Sequence, residues 1–411
     1  MLKSKQTATD GRINVIDALR GFALLGVLLV HMQQHYSYFS RGPFAEHHQI
    51  LSQFNESAQW LITNVFVGRF INIFAFLFGM SFFIQMDRAA QKGTDFRGRF
   101  LWRMVILFVI GLVGTCFYSG DILSLYAIYG VILLIINPCK NWLLMVMAVL
   151  LLAGTPKLST YAYDNLKPKT EQVQEQQSPQ RRMNFRPDMP QEKPSFVNSA
   201  KSNLTSGTQL KIRYQYQMSN RGYITLAIFI LGLIVGRIRF FETAHLKKRR
   251  NVLLFVVFIA GMYLFRYLSG VLAPEPIPGQ WFAPPTPASI VSTAMGDIGS
   301  VFSSAAILMA FVVIYNIPVV GKCLNVLAPY GRMGLTNYVT QSIIGCLLFA
   351  MWAWGATFGA WGTAESLLLA LGIYIAQVIV CAIWLHYFKY GPLEWFWRSA
   401  TYMKWQPFLK K

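Results

Sequence analysis

The first apolar segment of the chain carries Asp17, Arg20 and His31, three side chains that lipid does not accept without a reason. Ionisable groups inside a bilayer are costly and usually face a bundle interior or a wet cavity, so chemistry is sought among them first. On a helix, Asp17 lies one turn before Arg20. Arg20 and His31, eleven residues apart, are separated by roughly 16 Å along the axis and share nearly one face. Imidazole exchanges protons near neutral pH, which suits His31 to act as a general base or transient acyl acceptor. The alternative is a hydrogen-bonded core histidine. Asp17 and Arg20 are candidates to bind a substrate, or else form an i,i+3 ion pair at the helix entrance.

Other polar groups recur at the depth of His31. Arg69 lies just inside the second apolar segment, Asp121 in the turn before the fourth, Arg266 in the seventh and Asp297 in the eighth. Asp121 and Asp297 are candidate catalytic groups that would orient the imidazole or a cationic partner. Arg69 and Arg266 are candidate substrate ligands; the bland reading is a pair of structural salt bridges. At the ninth segment, Arg332 sits at the entrance, and Asn337 and Gln341 share a face at i,i+4. These two either line a cavity or hydrogen-bond between helices. Spacing along the chain does not decide whether any of these groups meet laterally. The five cysteines form no CxxC or Cys/His pair with metal-ligand spacing, so neither a metal site nor a redox cofactor is expected.

The elements that must position these residues are membrane helices. Of 411 residues, 54% are hydrophobic and only 13% charged, about half the charged share of a soluble domain. Apolar runs long enough for a bilayer recur along the chain. They predict an all-α, polytopic membrane helix bundle with helices near 14–36, 59–84, 101–119, 122–137, 141–155, 222–237, 251–271, 290–316, 334–353 and 366–387. The Ser119-Gly120 turn predicts a tight antiparallel pair from the third and fourth.

The net charge of +20 is carried mostly in short clusters between apolar runs. That pattern fits cytoplasmic loops beside anionic lipid rather than nucleic acid, and it puts both termini in the cytoplasm of a bacterial inner membrane. Residues 1–155 then form a five-helix half and 222–387 a second. Between them, 156–221 is a long polar periplasmic loop, expected to be mobile over at least 165–205. Its many Lys and Arg run against the charge rule, which long loops escape. The Pro-rich stretch Ala273–Pro287 is expected to be an extended outer loop that could cap a site. The tail 388–411, rich in Trp, Tyr and Lys, reads as an amphipathic interfacial anchor.

Several segments carry a resemblance together: RINVIDALRGFALLGVLLVHM, NVFVGRFINIFAFLFGMSFFIQMDRA, GDILSLYAIYGVILL, GRMGLTNYVTQSIIGCLLF and FKYGPLEWFWRS. In order and spacing the chain resembles the YeiB-type family of bacterial membrane proteins, a domain of unknown function grouped with the broader transmembrane acyltransferases. The resemblance implies a core of about ten helices and the movement of acyl groups across the membrane. It implies acyl-coenzyme A as donor and an envelope glycan as acceptor, with Arg20 and His31 matching an arginine and histidine on the acyltransferase first helix. A proton-coupled or lipid-linked transporter and a non-catalytic membrane scaffold are the competing expectations, since intramembrane Asp, Arg and His also suit proton coupling.

Overall fold

A computed structural model describes residues 14–36, 50–166, 193–275 and 285–410. Among these the protein is all-α, with a single isolated antiparallel bridge, Phe388 to Leu409. Every expected helix has a counterpart. The long helices are α1 (Asn14–Gln33), α2 (Asn55–Leu61), which continues through a π turn at Ile62–Phe66, α3 (Arg69–Gln91), α4 (Arg97–Phe117), α5 (Leu123–Ile136) and α6 (Asn141–Leu152). They are followed by α7 (Thr155–Leu166), α8 (Phe196–Ser202), α9 (Thr208–Arg213) and α10 (Arg221–Arg237). The C-terminal part adds α11 (Lys248–Leu272), α12 (Pro287–Tyr315), α13 (Pro318–Leu324), α14 (Ala328–Arg332), α15 (Gly334–Phe349), α16 (Gly355–Phe358), α17 (Thr363–Tyr387) and α18 (Pro392–Tyr402). Among the described residues, six helical stretches are long and apolar enough to cross a membrane, or eight if each of two bent pairs is one span. The count of ten crossings therefore rests on the sequence reading.

Glycines set the closest approaches. A Cβ on Gly79 would lie 2.1 Å from the Phe229 carbonyl, and one on Gly232 would lie 2.2 Å from that of Phe76. Gly236 meets Phe83 one turn further on, so α3 and α10 run parallel, backbone against backbone. Small residues at such crossings are what let membrane helices pack without a hydrophobic driving force. The tight pair expected at Ser119-Gly120 forms from α4 and α5: a Cβ on Gly111 would come within 2.4 Å of the Ser124 amide.

Two motifs that the sequence sets 59 residues apart meet at one corner of the bundle. Glu394 Oε1 accepts hydrogen bonds from the amides of Leu335 (2.7 Å) and Thr336 (3.0 Å), and Oε2 accepts from the Thr336 hydroxyl (2.5 Å). The Leu393 amide in turn donates to that hydroxyl at 3.1 Å. The GPLEW segment thus caps the first turn of α15, whose orphan amides otherwise have no partner. Burial pushes the Glu394 carboxyl up from its ordinary range, and the Thr336 and Leu335 donors oppose that shift. Glu394→Ala is expected to cost about 3 kcal/mol, the loss of charge-assisted bonds to a buried helix end. Thermal unfolding in detergent checks it; an unchanged midpoint contradicts the capping role.

At three places the structure adds to the sequence reading. The tail, read as an amphipathic interfacial anchor, also packs against α4. In α18, Trp397 Nε1 donates to the Arg103 carbonyl at 3.0 Å, and the Arg103 guanidinium stacks 3.7 Å over the Trp397 ring. Within the stretch 165–205, expected to be mobile, the last part is helical and makes packing contacts. There α8 puts Phe196 against Phe117 and Trp352 (centroids 5.3 and 5.5 Å), and Asn203 Nδ2 donates to the Cys116 carbonyl at 3.2 Å. A polar composition hid those contacts; residues 167–192 lie outside the described residues. Finally, the helix expected over 141–155 ends at Leu152, and the chain continues as α7 after a 57° bend. Most of the Pro-rich stretch, 276–284, also lies outside the described residues.

Candidate functional site

The candidate site is built at the end of the bundle where α1 finishes. Here His35 and Tyr36 both adopt left-handed backbone conformations, with φ of 52° and 47°. Non-glycine residues rarely do so, and the cost is of order 1 kcal/mol each. The turn folds Tyr36 back beside His31, with ring centroids 5.3 Å apart. Gly345 of α15 makes room, since a Cβ there would penetrate the Tyr36 ring. Tyr118, just past α4, approaches His31 to 4.9 Å, and Tyr338 of α15 to 6.5 Å. Three tyrosines thus wall the imidazole. It stays partly accessible, and no group among the described residues hydrogen-bonds it.

Asp121 lies behind this wall, fully buried. Its Oδ1 accepts from the Leu123 amide at 2.9 Å, capping α5. Its Oδ2 faces Gly114 without a hydrogen-bond partner. The Lys211 ammonium donates to the Asp121 carbonyl at 3.0 Å, and the Ile122 amide to the Tyr338 hydroxyl at 3.3 Å.

A second polar group stands beside the first. Arg69 opens α3 directly after Gly68, which takes the left-handed φ of 78°. It donates to the carbonyls of Thr63 (2.9 Å) and Val67 (2.6 Å). Arg221 opens α10 after a 77° bend in the chain and reaches the Gly68 carbonyl at 3.5 Å. Arg266 projects from α11 and is exposed. The charges of Arg221 and Arg266 both bear on Arg69. Asp297 of α12 accepts from Asn220 Nδ2 at 2.7 Å, and the charges of Arg221 and Lys157 bear on it. Between the two groups lies Tyr126, whose hydroxyl donates to the Ile71 carbonyl at 3.4 Å and feels both Arg221 and Tyr338.

The expected residues therefore divide into sets. His31 and Asp121 share one buried cluster, and Arg69, Arg266 and Asp297 share its neighbour. Neither carboxylate hydrogen-bonds His31: Asp121 is spent on the α5 amide and Asp297 on Asn220. The remaining residues lie elsewhere. Arg20 donates to Asp17 at 2.7 Å and to the Ser81 hydroxyl at 2.6 Å, pinning α1 to α3, and Arg332 ends α14, which packs on the start of α1. Asn337 bonds the Tyr330 carbonyl (2.9 Å) and Cys381 (3.2 Å), and Gln341 bonds the Tyr330 hydroxyl (2.5 Å) and Gln377 (3.3 Å). Both are buried in interhelical bonds.

Sequence reasoning did not single out Tyr36, Tyr118, Tyr338, Lys211, Asn220 or Arg221. Tyr118 and Tyr338 flank or belong to the quoted GDIL and LTNY segments, which was the available signal. Lys211 and Arg221 carried none, standing in a stretch read by its polar composition.

At this end of the bundle, His31, Arg69 and Arg221 lie outside the matched family region, whereas Arg266, Asp297 and Tyr338 lie within it. Residues 235–404 match the family described as "Protein of unknown function (DUF418)". The chain is 26% identical over 419 aligned positions to "Uncharacterized 39.9 kDa protein in amylase 3'region" of Bacillus acidopullulyticus, covering 98% of each. It is 27% identical over 421 positions to "Uncharacterized protein YxaH" of Bacillus subtilis (strain 168), covering 100% of this chain and 99% of that one. Over 80 residues, 20% of each chain, it is 36% identical to "Uncharacterized protein YeiB" of Escherichia coli (strain K12).

Proposed function

From the match of residues 235–404 to the DUF418 family and the likeness to the YeiB protein, we propose that the chain transfers an acyl group from a cytoplasmic donor to an acceptor on the other side of a bacterial inner membrane. The observation that carries the reading is the His31 imidazole, walled by Tyr36, Tyr118 and Tyr338 and without a hydrogen-bond partner among the described residues. In the expected orientation it faces the periplasmic side. An acceptor hydroxyl, such as that of an envelope glycan, gives its proton to His31 while its oxygen attacks a thioester carbonyl. The C–S bond breaks, the thiolate takes the proton back from the imidazolium, and an ester remains. The tyrosine hydroxyls are the nearby donors for the developing oxyanion.

The donor is an acyl-coenzyme A entering from the opposite end, where Arg20 and Arg332 lie beside the α1 entrance. Arginine suits its phosphates because the guanidinium binds oxyanions in a fork. Membrane lipids are the surrounding partners. The test is calorimetric titration of acetyl-coenzyme A into the purified chain. Wild type and His31→Ala bind alike, whereas Arg20→Ala and Arg332→Ala weaken binding about tenfold, the loss of one charge-assisted contact. No binding at millimolar donor contradicts the reading. Transport is the second reading, favoured by the helix breaks before Arg69 and Arg221, because broken helices line the substrate sites of many carriers. Gradient-driven flux without acyl transfer would select it.

A further inference from the structure

The Arg221 guanidinium reaches Gly68 beside Arg69, Arg266 packs at Gly299, and the charges of Arg221 and Arg266 both bear on Arg69; the Asp297 carboxylate is met by Arg221 and Lys157. Among the described residues, no carboxylate forms an ion pair with any of the three arginines. An intramembrane arginine needs a partner or water, and like charges held close repel one another. The cluster is thus built with more positive charge than the described residues neutralise.

Two further features point to an anion. The parallel helices α3 and α10 both begin here, each directly after a break, so their positive dipole ends are turned to the same place. The site also holds unpartnered polar atoms: Arg69 Nε is a buried donor without an acceptor, and Asn220, 4% exposed, has its Oδ1 unbonded. Arg69 Nε offers an N–H to an oxyanion, and Asn220 Oδ1 accepts from a neighbouring hydroxyl of the same ligand.

The way in is lateral. Arg266 is exposed on α11, and beside it Tyr263, Leu264, Tyr267 and Val271 are all more than half exposed. Tyrosines with aliphatic neighbours are typical of the membrane–water boundary. A headgroup at Arg266 would leave an acyl chain lying along this wall.

We propose that Arg69, Arg221 and Arg266 form a binding site for a phosphate-class oxyanion bearing hydroxyls, carried on an amphiphile that enters past α11. The site does not depend on acyl transfer: a chain that transfers nothing still binds the phosphate. The test is native mass spectrometry of the full chain in a non-ionic detergent, titrated with dioleoylphosphatidylglycerol or dioleoylphosphatidylcholine. Wild type binds the glycerol lipid at least tenfold tighter. Arg221→Gln and Arg266→Gln each weaken that binding about tenfold; Arg266 is exposed, so its variant keeps the fold. Arg99→Gln, an exposed arginine at the opposite end, changes nothing. Glycerol 1-phosphate separates the sources. Displacement at a concentration comparable to the lipid assigns a soluble phosphate ester, and a need for 100-fold more assigns a lipid headgroup. Equal binding of the two lipids, wild-type binding by both site variants, or an equal loss in Arg99→Gln overturns the proposal.

Discussion

His31→Ala is expected to lower acyl transfer by about 10²- to 10⁴-fold, the range a positioned acid–base group supplies, while lowering stability by no more than about 1 kcal/mol. The two halves of this expectation come from the same geometry. The imidazole stands among the rings of Tyr36, Tyr118 and Tyr338 but donates and accepts nothing among the described residues, so its removal orphans no buried partner. What remains is the loss of aromatic contact, of order 1 kcal/mol. A structural histidine would behave in the opposite way, lowering stability and sparing transfer. Rates with labelled donor, set beside unfolding curves of the same preparations, separate the two. His31→Ala with wild-type transfer removes this residue from the chemistry.

Gly331→Ala is expected to be the most damaging small substitution in the bundle. A Cβ on Gly331 would lie 1.8 Å from the Asp17 carbonyl and 2.7 Å from the Gly21 amide, while one on Gly21 would lie 2.5 Å from the Leu327 carbonyl. All of these are backbone atoms, so no side chain can swing away. Both glycines belong to quoted motifs, ALRGF and GRMGLTNY, and the crossing of α1 with α14 is why. Overpacking of this kind costs about 3 kcal/mol. It would also shift the start of α1, where Arg20 pins to Ser81. Gly98→Ala provides the contrast: nothing lies within 4 Å of its Cβ, and alanine gains up to about 1 kcal/mol in a helix. Detergent-solubilised Gly331→Ala should unfold well below wild type and Gly98→Ala at or above it. A Gly331→Ala midpoint equal to wild type contradicts the close crossing.

The helices were legible because lipid solubility imposes long apolar runs, and the α4–α5 pair because Ser119-Gly120 leaves no room for anything else. The Asp17–Arg20 pair was legible as an i,i+3 contact, and the structure forms it at 2.7 Å. Lateral convergence was not legible. Depth along a helix follows from residue number, but which helices neighbour each other depends on packing, which is how Asp121 came to lie behind the tyrosines that wall His31 and Asp297 beside Arg221. The basic residues of 156–221 show the same limit. They stood out as an exception to the charge rule, and length alone excused them. In the structure Lys157, Lys211 and Arg221 are placed inward, against Asp297 and Asp121. A charge count along a loop cannot distinguish a solvated lysine from Lys211, which is 4% exposed and bonded to the Asp121 carbonyl. The tyrosines escaped for a related reason, since Tyr near a membrane boundary ordinarily reads as an interfacial anchor.

The most direct test is a sided transfer assay in proteoliposomes that trap labelled acetyl-coenzyme A inside, with a hydroxylated glycan supplied outside and the chain oriented with its termini on the donor side. The account predicts label on the outer glycan with wild type, its loss with His31→Ala, and no dependence on an imposed proton gradient. Label that stays with the donor while wild type binds it, or that crosses only when a gradient is applied, contradicts acyl transfer at His31.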